Sequence, residues 1–107
     1  MGFRYSVLPS AVKDMQDIAH HVHDITGDWS RADALLSAME DTFDKLCQYP
    51  LWHPVYQFPD GMQPRHEYRN VNVDTCKVFY RVDEERELVL IYRIRHAASD
   101  FTAVEFG

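Results

Sequence analysis

The segment "CKVFYRVDEERELVLIYRIRHAASDF", Cys76 to Phe101, sets arginines and a histidine among alternating apolar residues. Arg81 follows Tyr80, Arg93 and Arg95 precede His96, and Asp100 stands four residues beyond that histidine. A guanidinium is a permanent cation whose planar donors match phosphate and carboxylate. An imidazole takes or gives a proton near neutral pH. Such a set suits three uses: metal-free cleavage of a phosphodiester, a grip on an acidic and apolar partner, or simple surface pairing with Asp83, Glu84 and Glu85. Surface pairs contribute about 0–1 kcal/mol each, and that is the expected state of Arg86. The partner-gripping reading takes in Tyr80, Arg81, Arg93, Arg95, His96 and Asp100.

Other clusters carry less. "HHVH", His20 to His23, puts His20 and His23 on one helical face with Asp24 nearby, but zinc wants three or four ligands and no further one is indicated. No metal and no cofactor are expected. Cys47 and Cys76 fit no redox or metal spacing and are read as reduced thiols. "PDG" at Pro59–Gly61 is a turn. Met15, Met39, Trp29 and Trp52 read as core or interface filler.

These residues need a scaffold. "FRYSVL", Phe3 to Leu8, alternates as a short strand. Pro9 and Ser10 mark a helix start, with Ser10 as N-cap. Val12, Met15, Ile18, Ala19, Val22 and Ile25 draw one apolar stripe on a helix over 11–25, and Gly27 suits its C-terminal cap. Asp28 or Ser30 caps a second helix running to about Tyr49, where Pro50 stops it. "PLWHPVYQFPDGMQP" is a proline-rich loop too apolar for a free linker, so it should lie against the core. Three strands follow, near Arg65–Val73, Cys76–Val82 and Glu87–Arg95, with "DEER" turning between the last two.

The order β-αα-βββ predicts an α+β fold: one domain over residues 1–107, with an antiparallel helix hairpin on one face of a curved, mainly antiparallel sheet. Strict alternation puts Cys76, Val78, Tyr80 and Val82 on one face of the second of those strands. In the last strand it groups Leu88, Leu90, Tyr92, Ile94 and His96 on one face, and Val89, Ile91, Arg93 and Arg95 on the other. The arginines are then expected on the sheet face that the helices leave open.

The net charge is −6 at pH 7. Between Ser10 and Pro50 eight acidic residues face only three basic ones, and the chain lacks the global positive field of a nucleic-acid binder. No apolar run approaches the roughly 20 residues needed to span a bilayer. The N-terminus lacks the pattern of a secretory signal, and a cytoplasmic location is expected.

In its residues and their order, the chain resembles the RelE/ParE superfamily of bacterial type II toxins. "YSVLPSAVKDMQDIAHHV" matches the first strand and helix, and "ADALLSAMEDTFDKLCQYP" the second helix. "VFYRVDEERELVLIYRIRHAASD" matches the final hairpin. The last segment is the most specific: it holds Tyr80–Arg81 before the turn, then Arg93, His96 and Asp100, as ParE-like members do. The resemblance implies a toxin that arrests growth, belongs to a plasmid-stabilisation type of module, and is held inactive in a hetero-oligomer by a cognate antitoxin. ParE-like members are associated with DNA gyrase, whereas RelE-like members cut mRNA on the ribosome.

A metal-free nuclease needs a base for the 2′-OH, an acid for the leaving oxygen and positive charge for the phosphorane. RelE-like nucleases place lysines before the third strand, an arginine in it, and an arginine and tyrosine after the last strand. Here the third-strand position holds Lys77, no lysine lies between Leu51 and Cys76, and "HAASDF" follows the last strand. A nuclease would have to be built from Arg65, Lys77, Arg93 and His96, with His66 a further proton carrier. The favoured expectation is a non-enzymatic, gyrase-binding toxin. The alternative is a ribosome-dependent mRNA endonuclease, and a third reading is a toxin that has lost activity but still binds its antitoxin.

Overall fold

In the computed structural model, the described residues are 2–58, 61 and 65–96. Strand β1 (Arg4–Val7) leads into helix α1 (Pro9–Thr26) and helix α2 (Trp29–Gln48); β2 (Arg69–Val73), β3 (Cys76–Asp83) and β4 (Leu88–His96) follow. The sheet order is β1-β4-β3-β2. β1 runs parallel to β4, and the other two pairings are antiparallel. The expected α+β order and helix hairpin are therefore present.

Local chemistry explains most boundaries. Leu8, not Ser10, is the N-cap of α1 and makes no side-chain cap bond. Pro9 at the first helical position carries a fixed φ and no N–H in need of a cap. Ser10 is thereby released, and its hydroxyl donates to the Tyr92 carbonyl at 2.8 Å. Gly27 ends α1 at φ 67, where a side chain would be strained, and its N–H bonds the His23 carbonyl at 2.7 Å. Asp28 caps α2, with Oδ1 accepting from the Ser30 N–H at 2.9 Å. That hydrogen bonding, from the Ser30 side chain first, holds the Asp28 carboxyl below its ordinary range.

Two departures from simple alternation matter for the site. β2 starts at Arg69 rather than Arg65, because the Tyr68 carbonyl turns away to accept the Tyr56 N–H at 2.8 Å. In β4 the register slips: Phe79 faces Arg93 while Tyr80 faces Ile91, which leaves Tyr92 as the extra residue of a β-bulge. The bulge reverses the phase of the strand. Ile94 joins Val89 and Ile91 in the core, instead of siding with Leu88 and Leu90 as strict alternation requires.

The core lies between the helices and one sheet face, where Met39, Phe43 and Leu46 meet Val78, Tyr80, Val89, Ile91 and Ile94. The opposite face is not open. After α2, residues 49–58 wrap the β2 edge like a strap and lay Tyr56 and Phe58 over that face. Tyr56 meets the Phe79 ring edge-on at 4.9 Å, Phe58 meets Tyr68 at 6.2 Å, and Tyr68 meets Tyr92 at 5.0 Å. Phe79 and Tyr68 are fully buried as a result. For residues 50–58 the expectation that this loop lies against the body of the protein is met; Pro59, Asp60 and residues 62–64 lie outside the described residues.

Candidate functional site

β1 covers the outer edge of β4 only as far as Ile91. Beyond that point the backbone of β4 needs other partners, and the first turns of α1 supply them. The Leu8 N–H donates to the Ile91 carbonyl at 3.0 Å, and Ser10 follows onto Tyr92 as described. Asp14 then accepts the Ile94 N–H at 2.9 Å. The same carboxylate receives Arg93, Nε at 2.8 Å and Nη2 at 3.2 Å. Asp14 is only 7% exposed, so its charge is tolerable because three donors converge on it.

This pairing corrects the expectation for Arg93. It was placed on an open face, ready for a partner or a phosphate; instead its Nε edge is held by α1. The bulge brings it there by shifting the end of β4 against the helix. Asp14 was missed, although a signal existed: Ala11, Asp14 and Ile18 share one stripe, and an acid inside a buried stripe needs a partner.

Tyr80 is also corrected. It belongs to the core, fully buried, and its hydroxyl donates to the Pro50 carbonyl at 3.2 Å. Burial pushes its phenol up to about 12. A side chain so enclosed offers nothing to a partner. Arg81 is half-buried and lines a small cleft of about 220 Å³ with Arg69, His66, Glu67 and Glu84. Arg86 is a surface pair as expected, 3.8 Å from Asp83.

Arg95 pairs in register with Lys77, whose ammonium lies 5.5 Å from the centre of the Tyr56 ring. The Arg95 Nε is buried and has no hydrogen-bond partner among the described residues. His96 is exposed at the end of β4, where it faces Cys76, and Arg65 is exposed in the chain ahead of β2. Lys77 stands two residues along β3 from Phe79, the register partner of Arg93. Asp100 lies outside the described residues.

Arg69 was not singled out from the sequence, yet it fastens the strap. Its Nη1 donates to the His53 carbonyl at 2.6 Å and the Leu51 carbonyl at 3.4 Å. His53 meets the Tyr80 ring edge-on at 6.4 Å, and burial holds its imidazole below the usual histidine range. His23 stacks on Trp29 at 4.0 Å. Among the described residues, no group of three or more His, Cys, Asp or Glu is placed to hold a metal ion, and no helix is long and apolar enough to cross a membrane.

Among the described residues, two apolar surfaces stay uncovered. One is the tip of the strap, where Trp52 is 77% exposed beside Tyr49 and Leu51. The other is a groove of about 370 Å³ between α1 and the ends of β3 and β4, with Ile18, Val22, Ile25 and Leu35 against Ile94 and Arg95.

Residues 5–101 match the family described as "ParE toxin of type II toxin-antitoxin system, parDE". The chain belongs to the ParE toxin family. No curated protein matches it significantly. Solved structures share the fold at low identity. The chromosomal ParDE toxin–antitoxin system of P. aeruginosa aligns with a TM-score of 0.68 and 15% identity, covering 88% of this chain and 95% of that one. The RelBE2 toxin–antitoxin complex of Mycobacterium tuberculosis gives 0.61 and 16%, covering 90% and 99%. The archaeal RelE–RelB complex of Pyrococcus horikoshii OT3 gives 0.62 and 16%, covering 94% and 100%. Structures named ParDE and RelBE thus both share this architecture.

Proposed function

We propose that this ParE-family toxin acts in the cytoplasm by binding DNA gyrase, without cutting RNA, and that a cognate antitoxin holds it inactive. The observation that carries this reading is the engagement of Arg93. A nuclease would need that guanidinium on the phosphorane, but Asp14 takes its Nε edge and ties it to the backbone of β4. The net charge of −6 also disfavours unaided capture of RNA. Inhibition by binding needs only a complementary surface, and among the described residues two apolar surfaces are open to it.

The test is a pulse-label experiment in a bacterial host after induction of the chain alone. Incorporation of labelled thymidine and labelled amino acid is followed over the first minutes. Thymidine incorporation is expected to stop first, and purified gyrase should then be inhibited in supercoiling assays. If amino-acid incorporation stops first, the ribosome and its mRNA become the target and this reading fails. Continued growth on expression would mark a toxin that has lost activity.

A further inference from the structure

From Lys45, in the last turn of α2, to Phe58 the chain has no acidic residue, in a protein of net charge −6. The same stretch turns large side chains outward: Tyr49, Leu51 and Trp52 are half or more exposed at the tip of the strap. A loop that exposes such residues gains little from burial and would ordinarily be loose. Here the backbone of all five residues 49–53 is fastened. The Tyr49 N–H donates to the Lys45 carbonyl and the Trp52 N–H to the Tyr49 carbonyl, both at 3.1 Å. The Pro50 carbonyl accepts from buried Tyr80, and the Leu51 and His53 carbonyls accept from Arg69. Donors from β3 and β2 thus hold an apolar tip in water. A tip fixed in advance loses little conformational freedom when it binds.

The charge around the tip indicates what it fits. Between the tip and the end of α2 lies a cleft of about 540 Å³ whose walls include Lys45, Trp52 and His53. Lys45 is exposed and makes no ion pair among the described residues. Asp41 and Asp44, the last acids of α2, do not line this cleft. On the other flank, which Leu51 shares, Arg69 and Arg81 are matched by Glu67 and Glu84. The tip therefore keeps one uncompensated positive charge beside its aromatic rings.

We propose that the strap tip is the surface that engages gyrase, with Trp52 seated in an apolar cleft of gyrase whose rim bears carboxylates that meet Lys45. The proposal rests on the gyrase reading above and adds to it the surface and the chemistry of the contact. An acid-free tip is where a chain of this charge approaches an acidic surface with least repulsion. Trp52 supplies affinity, and Lys45 orients the encounter.

The test measures inhibition of supercoiling by purified gyrase at two salt concentrations, with the free full-length chain as inhibitor. Trp52→Ala is expected to raise the half-inhibitory concentration about thirtyfold. Lys45→Glu is expected to raise it about tenfold at low salt and less at high salt. Lys13→Ala, at an exposed ion pair on α1, should stay within about twofold of wild type. Thermal melts provide the folding control, and because Trp52 and Lys45 are exposed, both variants should melt like wild type. If Trp52→Ala and Lys45→Glu fold and inhibit like wild type, the tip is not the gyrase surface. If Trp52→Ala loses antitoxin affinity but inhibits gyrase normally, the tip belongs to the antitoxin and the proposal is overturned. A dimer of the free chain that Trp52→Ala dissolves, with inhibition intact, would give the tip to a second copy instead. If the wild-type chain itself does not inhibit gyrase, the reading beneath the proposal fails and the proposal with it.

Discussion

Asp14 shows how one carboxylate joins two elements. It accepts from the Arg93 guanidinium and from the Ile94 N–H while almost wholly buried. Removing one member of a buried pair strands the other, which generally costs about 3–5 kcal/mol. Asp14→Ala should therefore destabilise the chain by about 3 kcal/mol in urea unfolding. Asp14→Asn keeps an acceptor for Ile94 and should cost only about 1–2 kcal/mol. A loss below about 1 kcal/mol for Asp14→Ala would mean an ordinary surface pair, and Arg93 would return as a candidate for partner or phosphate. Tyr80→Phe provides a second check. It should lose about 1 kcal/mol with the bond to Pro50 and leave antitoxin affinity unchanged, since the ring is enclosed. The sequence signalled that Asp14 needs a partner but not which one, and it did not signal the role of Tyr80. The Tyr-Arg pair and the two strand arginines read alike as surface groups, and their different fates depend on a bulge and on which helix face lies against β4.

The helices were the most legible elements, because a stripe of period 3.6 and the residues Gly27 and Asp28 specify start, stop and buried face locally. β4 was less so. Its alternation reads cleanly as period two, and nothing in "LVLIYRIRH" announces that Tyr92 is the inserted residue; the bulge becomes necessary only when Ile91 and Ile94 must both reach the core. The strap was legible as an apolar loop but not in its route. Its route rests on Arg69 and leads to a pH prediction centred on His53. Burial lowers the His53 pKa from 6.5, so the folded chain binds this proton less readily than the unfolded chain. The corresponding stability is present above pH ~6.5 and is lost as the pH falls below that value. The groups placed around His53 are Arg69 on its carbonyl, Tyr80 against its ring and Lys45 on the neighbouring wall. Thermal midpoints measured from about pH 7 to pH 5 should fall, and His53→Phe, which keeps an aromatic ring but cannot take a proton, should flatten part of that fall. Parallel profiles for the two proteins would remove His53 from the account.

The described residues form a single sheet with helices on one side and an aromatic strap on the other, and this division decides which of their surfaces are left to partners. The order of elements, and with it the α+β class, followed from the sequence because each element carries its own period and punctuation. Which face would be closed did not follow, since closure depends on a loop crossing the β2 edge. The consequence is energetic as well as geometric. Ile25, Trp52, Tyr49 and Leu51 are half or more exposed, so the isolated protein keeps apolar area in contact with water that a partner would remove. A partner that binds only the folded chain stabilises it by RT ln(1 + [L]/Kd), about 2.7 kcal/mol when the free partner is at 100 times Kd. For a domain of this size each kcal/mol shifts the melting midpoint by roughly 4 °C. The complex with antitoxin should therefore melt about 10 °C above the free chain and rise further with partner concentration. Equal midpoints for wild-type chain and complex would show that the exposed apolar surface is not what the antitoxin covers.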